Sequence, residues 1–214
     1  MNKRQIVLIA AIAVVLVIAG VIYWHIKPKA PEVVKTVTKE AFDIVFGAEE
    51  APIQVYLFFD YFCSHCRKFF IEAYPDIKQE FIDTRKIQLV LKPVFFSTQA
   101  RIVNAYKSAI CLNKHGQYQP MHDLLLVESE VVFSQSFDEL IEEYVQRNSL
   151  FAECFYSGSV EQYLDDIRKI FIANRFKGTP TFVINNRMYV GYLSFEQFKH
   201  IISAEYGNIP ARDN

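Results

Sequence analysis

Strand-like runs stand on either side of a long helical stretch, and that split limits the chain to few folds. IQVYLFFD (53–60) is short, apolar and rich in aromatic and β-branched residues, the pattern of a buried strand. KIQLVLKPVF (86–95) repeats it and ends near Pro93. Between them Phe69, Phe70, Ala73, Tyr74, Ile77 and Phe81 recur at helical spacing. Pro75 should kink that helix, since it lacks a backbone donor. From Thr98 to Phe176 the periodicity is helical throughout, with Gly116 ending a helix that carries Ile102, Val103, Tyr106, Ala109 and Ile110. Ser136 with Glu139, and Ser159 with Gln162, have the spacing of capping boxes. Strands return at TFVI and RMYV around the turn signal Asn185-Asn186, and a last helix opens at Ser194 with Gln197. The expected class is α/β, a βαβ unit and a ββα unit separated by an all-helical insertion.

Ahead of this lies IVLIAAIAVVLVIAGVIYW (6–24), nineteen residues without a charge, long enough for a transmembrane helix. Tyr23 and Trp24 would sit at the interface. A cleaved signal peptide is the rival, but the run ends in Tyr-Trp-His and Ala30 precedes Pro31, a poor cleavage site. Residues 25–40, with two prolines and no amphipathic period, are expected to be a linker. The expected organisation is therefore a cytoplasmic N-terminus (1–5), a membrane anchor (6–24) and the linker (25–40). A folded domain follows in two parts (41–97 and 177–207) around the insertion (98–176), then a tail (208–214). Net charge is −1 without a Lys/Arg-rich block, so nothing points to nucleic acid.

Cys63 and Cys66 stand three apart where the first strand gives way to the helix. At a helix start, positions i and i+3 share a face, so the sulfurs can close a disulfide. Unpaired N–H groups there favour a thiolate at Cys63, the form that attacks and leaves disulfides. His65, as imidazolium, would add positive charge beside it, and Ser64 completes the motif. Cys63 is expected to be exposed and attacking, Cys66 shielded and resolving. A structural staple would close a very small loop and stabilise little. A zinc site needs a second ligand pair, whereas Cys111 and Cys154 are singles; neither metal nor organic cofactor is expected. In an oxidising compartment Cys111 and Cys154 are expected to pair, closing a long loop worth about 3–4 kcal/mol. Two buried free thiols are the alternative.

GAEEAPIQVYLFFDYFCSHC together with KGTPTFVINN resembles the DsbA-like branch of the thioredoxin superfamily. SAICLNKHGQYQPMHDLLL and the FAEC segment resemble that branch's helical insertion, so the likeness spans roughly residues 44 to 204. It implies a thioredoxin-like fold and a cis peptide at Pro180 packed against the cysteine turn. Thr179, just before it, would offer its backbone to an extended substrate. Relatives often carry a buried carboxylate six residues before the first cysteine; here that place is Leu57. Asp60 is nearer the cysteines, but strand alternation leaves its direction open, and no general base is assigned.

The implied activity is thiol-disulfide exchange at Cys63–Cys66, introducing disulfides into exported proteins. The implied setting is the bacterial inner membrane, single-pass, with the catalytic domain facing the periplasm or cell exterior. A DsbB-like quinone-linked oxidase would reoxidise the pair. An isomerase or reductase kept reduced by a transmembrane electron donor is the nearest alternative, and a tethered chaperone-like module the more distant one.

Overall fold

The structure, a computed structural model, describes residues 2–26 and 32–207; within the first helix the side chains of residues 3, 4, 6–11, 22 and 24–26 are not among those described. Two compact units divide the chain, one up to Pro31 and one from Glu32. The first is a single helix, α1 (Lys3–Ile26). It contains the whole uncharged run 6–24, part of whose side chains lie outside the described residues. Among the described residues, no helix is long and apolar enough to cross a membrane. Linker residues 27–31 and the tail 208–214 also fall outside them.

The second unit is built on a six-stranded sheet of β1 (Glu32–Val33), β2 (Ile44–Phe46), β3 (Ile53–Phe59), β4 (Ile87–Pro93), β5 (Thr181–Ile184) and β6 (Arg187–Val190). The strand order is β1-β6-β5-β3-β4-β2. β3 and β4 are parallel, and every other neighbouring pair is antiparallel. β4 is buried along its whole length and β3 nearly so, which is why both are apolar runs rather than alternating ones. Both edge strands are additions to the sequence expectation. Glu32 and Val33, inside the stretch expected to be a linker, pair with Met188 and Arg187.

The segment between β3 and β4 opens as α2 (Ser64–Lys68), widens into a π turn (Phe69–Ala73), continues as α3 (Tyr74–Ile77) and widens again (Lys78–Ile82). Pro75 explains the first widening: without its N–H the regular ladder loses a rung, and the Tyr74 N–H reaches back five residues to Phe69 O. The insertion comprises α4 (Ala100–Lys114), α5 (Tyr118–Val127), a 3₁₀ turn (Ser129–Phe133), α6 (Gln135–Arg147), α7 (Ser149–Tyr156) and α8 (Gly158–Ala173). Its caps differ from the expected ones. Ser134, not Ser136, accepts the Phe137 N–H to open α6, and α8 begins after Ser157 without a side-chain cap. The box of Ser194 and Gln197 does open α9 (Phe195–Tyr206). Asn185 and Asn186 both have positive φ, as a two-residue primed turn requires.

Side chains alternate across the sheet, which separates two environments. Phe59 and Phe182 pack against Phe70 and Phe69 of the helix that follows the cysteines. Phe58, on the opposite face, packs against Phe171 of α8 and against Phe176. Lys92 lies in register with Phe58 on that same face. It is fully buried with Asp43 at 2.7 Å, and the Tyr163 hydroxyl donates to the same carboxylate at 2.7 Å.

Candidate functional site

β3 ends at Phe59, and the three residues that follow turn the chain into α2. Cys63 takes the N-cap position in an extended conformation, at the helix start where the first-turn N–H groups have no backbone partner. It is partly exposed, whereas Cys66, one helical turn on, is completely buried. Ser64 and His65 lie exposed on the first turn. Both sulfurs are free thiols.

The segment before β5 approaches from the other side. The Thr179–Pro180 peptide is cis, and the Cys63 Sγ lies 3.1 Å from Thr179 O. The Thr181 hydroxyl donates to Gly178 O at 2.6 Å and the Gly191 N–H to Pro180 O at 2.8 Å, which fixes the loop at both ends. Gly191 has φ +94°, a conformation that side chains rarely adopt.

The two sulfurs are electrostatically unlike. A hydrogen bond from the Cys66 thiol, with others from Thr179 and from the backbone N–H groups of Cys66 and His65, outweighs partial burial and brings the Cys63 thiol down to about 5. Burial pushes the Cys66 thiol far up, and its bond to Cys63 adds to the rise. At neutral pH the pair is one thiolate beside one thiol.

Asp60 ties the site together. Its N–H donates to Cys66 Sγ at 3.5 Å and its carbonyl accepts the Cys63 N–H at 3.1 Å. Its carboxylate accepts the Phe62 N–H at 2.8 Å and the Tyr106 hydroxyl at 2.7 Å. That hydroxyl in turn accepts the Tyr61 N–H at 3.0 Å. The Tyr61 ring enters a buried group in which its hydroxyl and that of Tyr118 meet His122 Nδ1 at 3.2 and 2.6 Å. Burial holds His122 neutral, down to about 3. Arg67, next to Cys66, donates to Leu126 O at 2.6 Å and to Ser129 Oγ at 3.1 Å. The cysteine turn is thus bound to the insertion through Tyr61, Asp60 and Arg67.

The structure therefore brings Cys63, Cys66, Thr179 and Pro180 together and keeps Cys111 and Cys154 elsewhere. Those two are bonded to each other, joining α4 to α7. Leu57 is fully buried between Leu91 and Phe182, so an apolar side chain fills that position. Tyr106, Tyr118, His122 and Arg67 were not singled out by sequence as site residues. Tyr106 shows there only as one apolar position of a helix, because its partner Asp60 is 46 residues away. Among the described residues, no group of three or more His, Cys, Asp or Glu side chains could hold a metal ion.

The family model described as Thioredoxin matches residues 39–204. A Rickettsia conorii protein named for protein-disulfide oxidoreductase activity is 28% identical over 154 residues, 67% of this chain and 53% of the relative. Disulfide bond formation protein D of Bacillus subtilis is 24% identical over 173 residues, 75% of this chain and 76% of that one. The chain spans about half the length of the Rickettsia relatives it matches. Among solved structures, Wolbachia pipientis alpha-DsbA1 superposes with a TM-score of 0.66 at 19% identity, covering 80% of this chain and 94% of that one. Oxidised BdbD of Bacillus subtilis also gives 0.66, at 16% identity, covering 84% of this chain and all of the other. The chain belongs to the thioredoxin family, with the thioredoxin-like fold and helical insertion of DsbA proteins.

Proposed function

We propose that this chain is a DsbA-like protein-disulfide oxidoreductase that donates the Cys63–Cys66 disulfide to cysteine-containing exported proteins. The observation that carries the reading is the asymmetry of the pair: a partly exposed low-pKa sulfur at Cys63 beside a buried thiol at Cys66. A client thiolate attacks Cys63 Sγ; the Cys63–Cys66 bond breaks, and Cys66 leaves as a thiolate and takes up a proton. A second client thiolate then attacks the client sulfur of the mixed disulfide, and Cys63 leaves as the stabilised thiolate. The client loses two electrons and the pair gains them. Thr179, on the cis-proline loop beside Cys63, would hold the client backbone in extended form.

Stabilising the Cys63 thiolate stabilises the reduced form and favours oxidation of clients over their reduction. Membrane attachment through α1, with the catalytic unit facing the periplasm, is supported by the uncharged run 6–24 and by the bonded Cys111–Cys154 pair, which suits an oxidising compartment. A DsbB-like quinone-linked oxidase completes the cycle by removing the two electrons. The test is disulfide formation in a reduced two-cysteine client mixed with the oxidised full-length chain in detergent. One client disulfide per chain is expected, and none with Cys63→Ser. Failure of the wild-type chain to oxidise the client overturns the proposal.

A further inference from the structure

Among the described residues, the strands bring no carboxylate to the sheet face beneath the cysteine helix. Leu57 lies in register there with Leu91 and Phe182. Two carboxylates are fully buried among the described residues, and each has a cation: Asp43 lies against Lys92 on the opposite face, and Glu205 against Arg187. Asp60 differs from Asp43 in one decisive respect: its carboxylate has two neutral donors, Tyr106 and Phe62, and no Lys or Arg partner among the described residues. Arg67, the cation nearest in sequence, is turned to Leu126 O and Ser129 Oγ. A partly buried carboxylate without a counter-ion can lower its charge only by binding a proton.

Reduction of the pair places a second negative charge in the same turn. The Cys63 N–H donates to Asp60 O and the Asp60 N–H to Cys66 Sγ, so Asp60 brackets both sulfurs. The charged and titratable groups around its carboxylate are Cys63 and Cys66 from the cysteine turn and Tyr106 from α4. Tyr118 and His122 from α5 are reached only through Tyr61, and His122 is neutral. Of these, the one whose charge changes with redox state at neutral pH is Cys63.

We propose that Asp60 is the redox-linked proton site of this enzyme: its carboxylate binds a proton when the Cys63–Cys66 disulfide is reduced and releases it when the disulfide re-forms. The proton balance supports this assignment. A client dithiol oxidised to a disulfide gives up two electrons and two protons. Both electrons enter the Cys63–Cys66 bond, but Cys63 remains a thiolate, so only Cys66 takes a proton onto sulfur. Asp60 takes the second. Burial already raises the Asp60 carboxyl above its usual range against the lowering effect of its hydrogen bonds, and the Cys63 thiolate raises it further. The inference rests on the oxidoreductase reading but not on the direction of electron flow.

The test is the reduction potential of the full-length chain against pH, for the wild type and Asp60→Asn, paired with redox-difference infrared spectra. Asn keeps an acceptor for Tyr106 and Phe62 and removes only the charge. Reduction of the wild type should add the band of a protonated carboxyl, and Asp60→Asn should abolish it. The wild-type equilibrium constant should change by up to an extra tenfold per pH unit where Asp60 titrates, about 30 mV, and the variant should lack that segment. Asp60→Asn should also be the stronger oxidant at pH 7, since its reduction no longer has to draw a proton onto residue 60. Parallel pH profiles with an unchanged spectrum would overturn the assignment. A wild-type potential below the glutathione couple with divergent profiles would instead retain Asp60 and reject the oxidant reading.

Discussion

The Cys63 sulfur lies 3.1 Å from the carbonyl oxygen of Thr179, across 116 residues of sequence. Two segments separated by the whole helical insertion thus meet at one sulfur atom. A client strand laid along Thr179 would bring its cysteine to Cys63, and the buried Cys66 would stay behind it. The remaining features of the site set the protonation of these two sulfurs.

Alkylation should be selective and pH-dependent. Trapping of the reduced chain with iodoacetamide is expected to label Cys63 with a midpoint near pH 5, from its lowered thiol, and to leave Cys66 almost unlabelled at neutral pH. A midpoint near the ordinary thiol value would show that the helix start does not stabilise the thiolate.

The same shift ties stability to redox state. Because the Cys63 pKa is lowered on folding, its stabilisation of the reduced form is fully present above the unfolded thiol value of about 8.5. It declines as pH falls toward about 5 and is gone below that. Urea melts should find the advantage of the reduced chain over the oxidised one shrinking from about pH 8.5 to pH 5.

Tyr106→Phe should reach the cysteine turn from α4. It removes the hydroxyl that donates to Asp60 and accepts the buried Tyr61 N–H, leaving that donor unpaired. A loss of about 1–3 kcal/mol is expected in equilibrium unfolding, and the reduction potential should shift as well. An unchanged potential would mean that the hydroxyl acts on stability alone.

Lys92→Met should leave the Asp43 carboxylate buried without its cation, at a cost of about 3–5 kcal/mol. Adding Asp43→Leu should recover much of that loss, because the unpaired charge is then gone. A double variant no more stable than the single one would place the contribution of Lys92 in packing rather than charge.

Sequence legibility followed the range of the interactions. β3, β4 and the β5–β6 hairpin were readable because fully buried strands are apolar runs and Asn-Asn marks the turn. β1 and β2, two and three residues long, carry no period to detect. Ser136 and Ser159 have capping-box spacing, yet the chain enters α6 at Ser134 and α8 at Ser157, two residues earlier in each case. Spacing alone cannot choose between neighbouring serines. The CxxC motif located both sulfurs and GTPT located the loop opposite them. The Asp60 carboxylate stayed ambiguous because it follows the end of β3, where strand alternation no longer fixes direction and Tyr106, in a distant helix, does.

The reduction potential of the Cys63–Cys66 pair in the full-length chain, equilibrated against glutathione at pH 7, tests the central claim most directly. A value well above the glutathione couple is predicted, as a stabilised Cys63 thiolate requires of a disulfide donor. A value well below it would contradict the account and make this chain a reductase or isomerase on a DsbA-like fold.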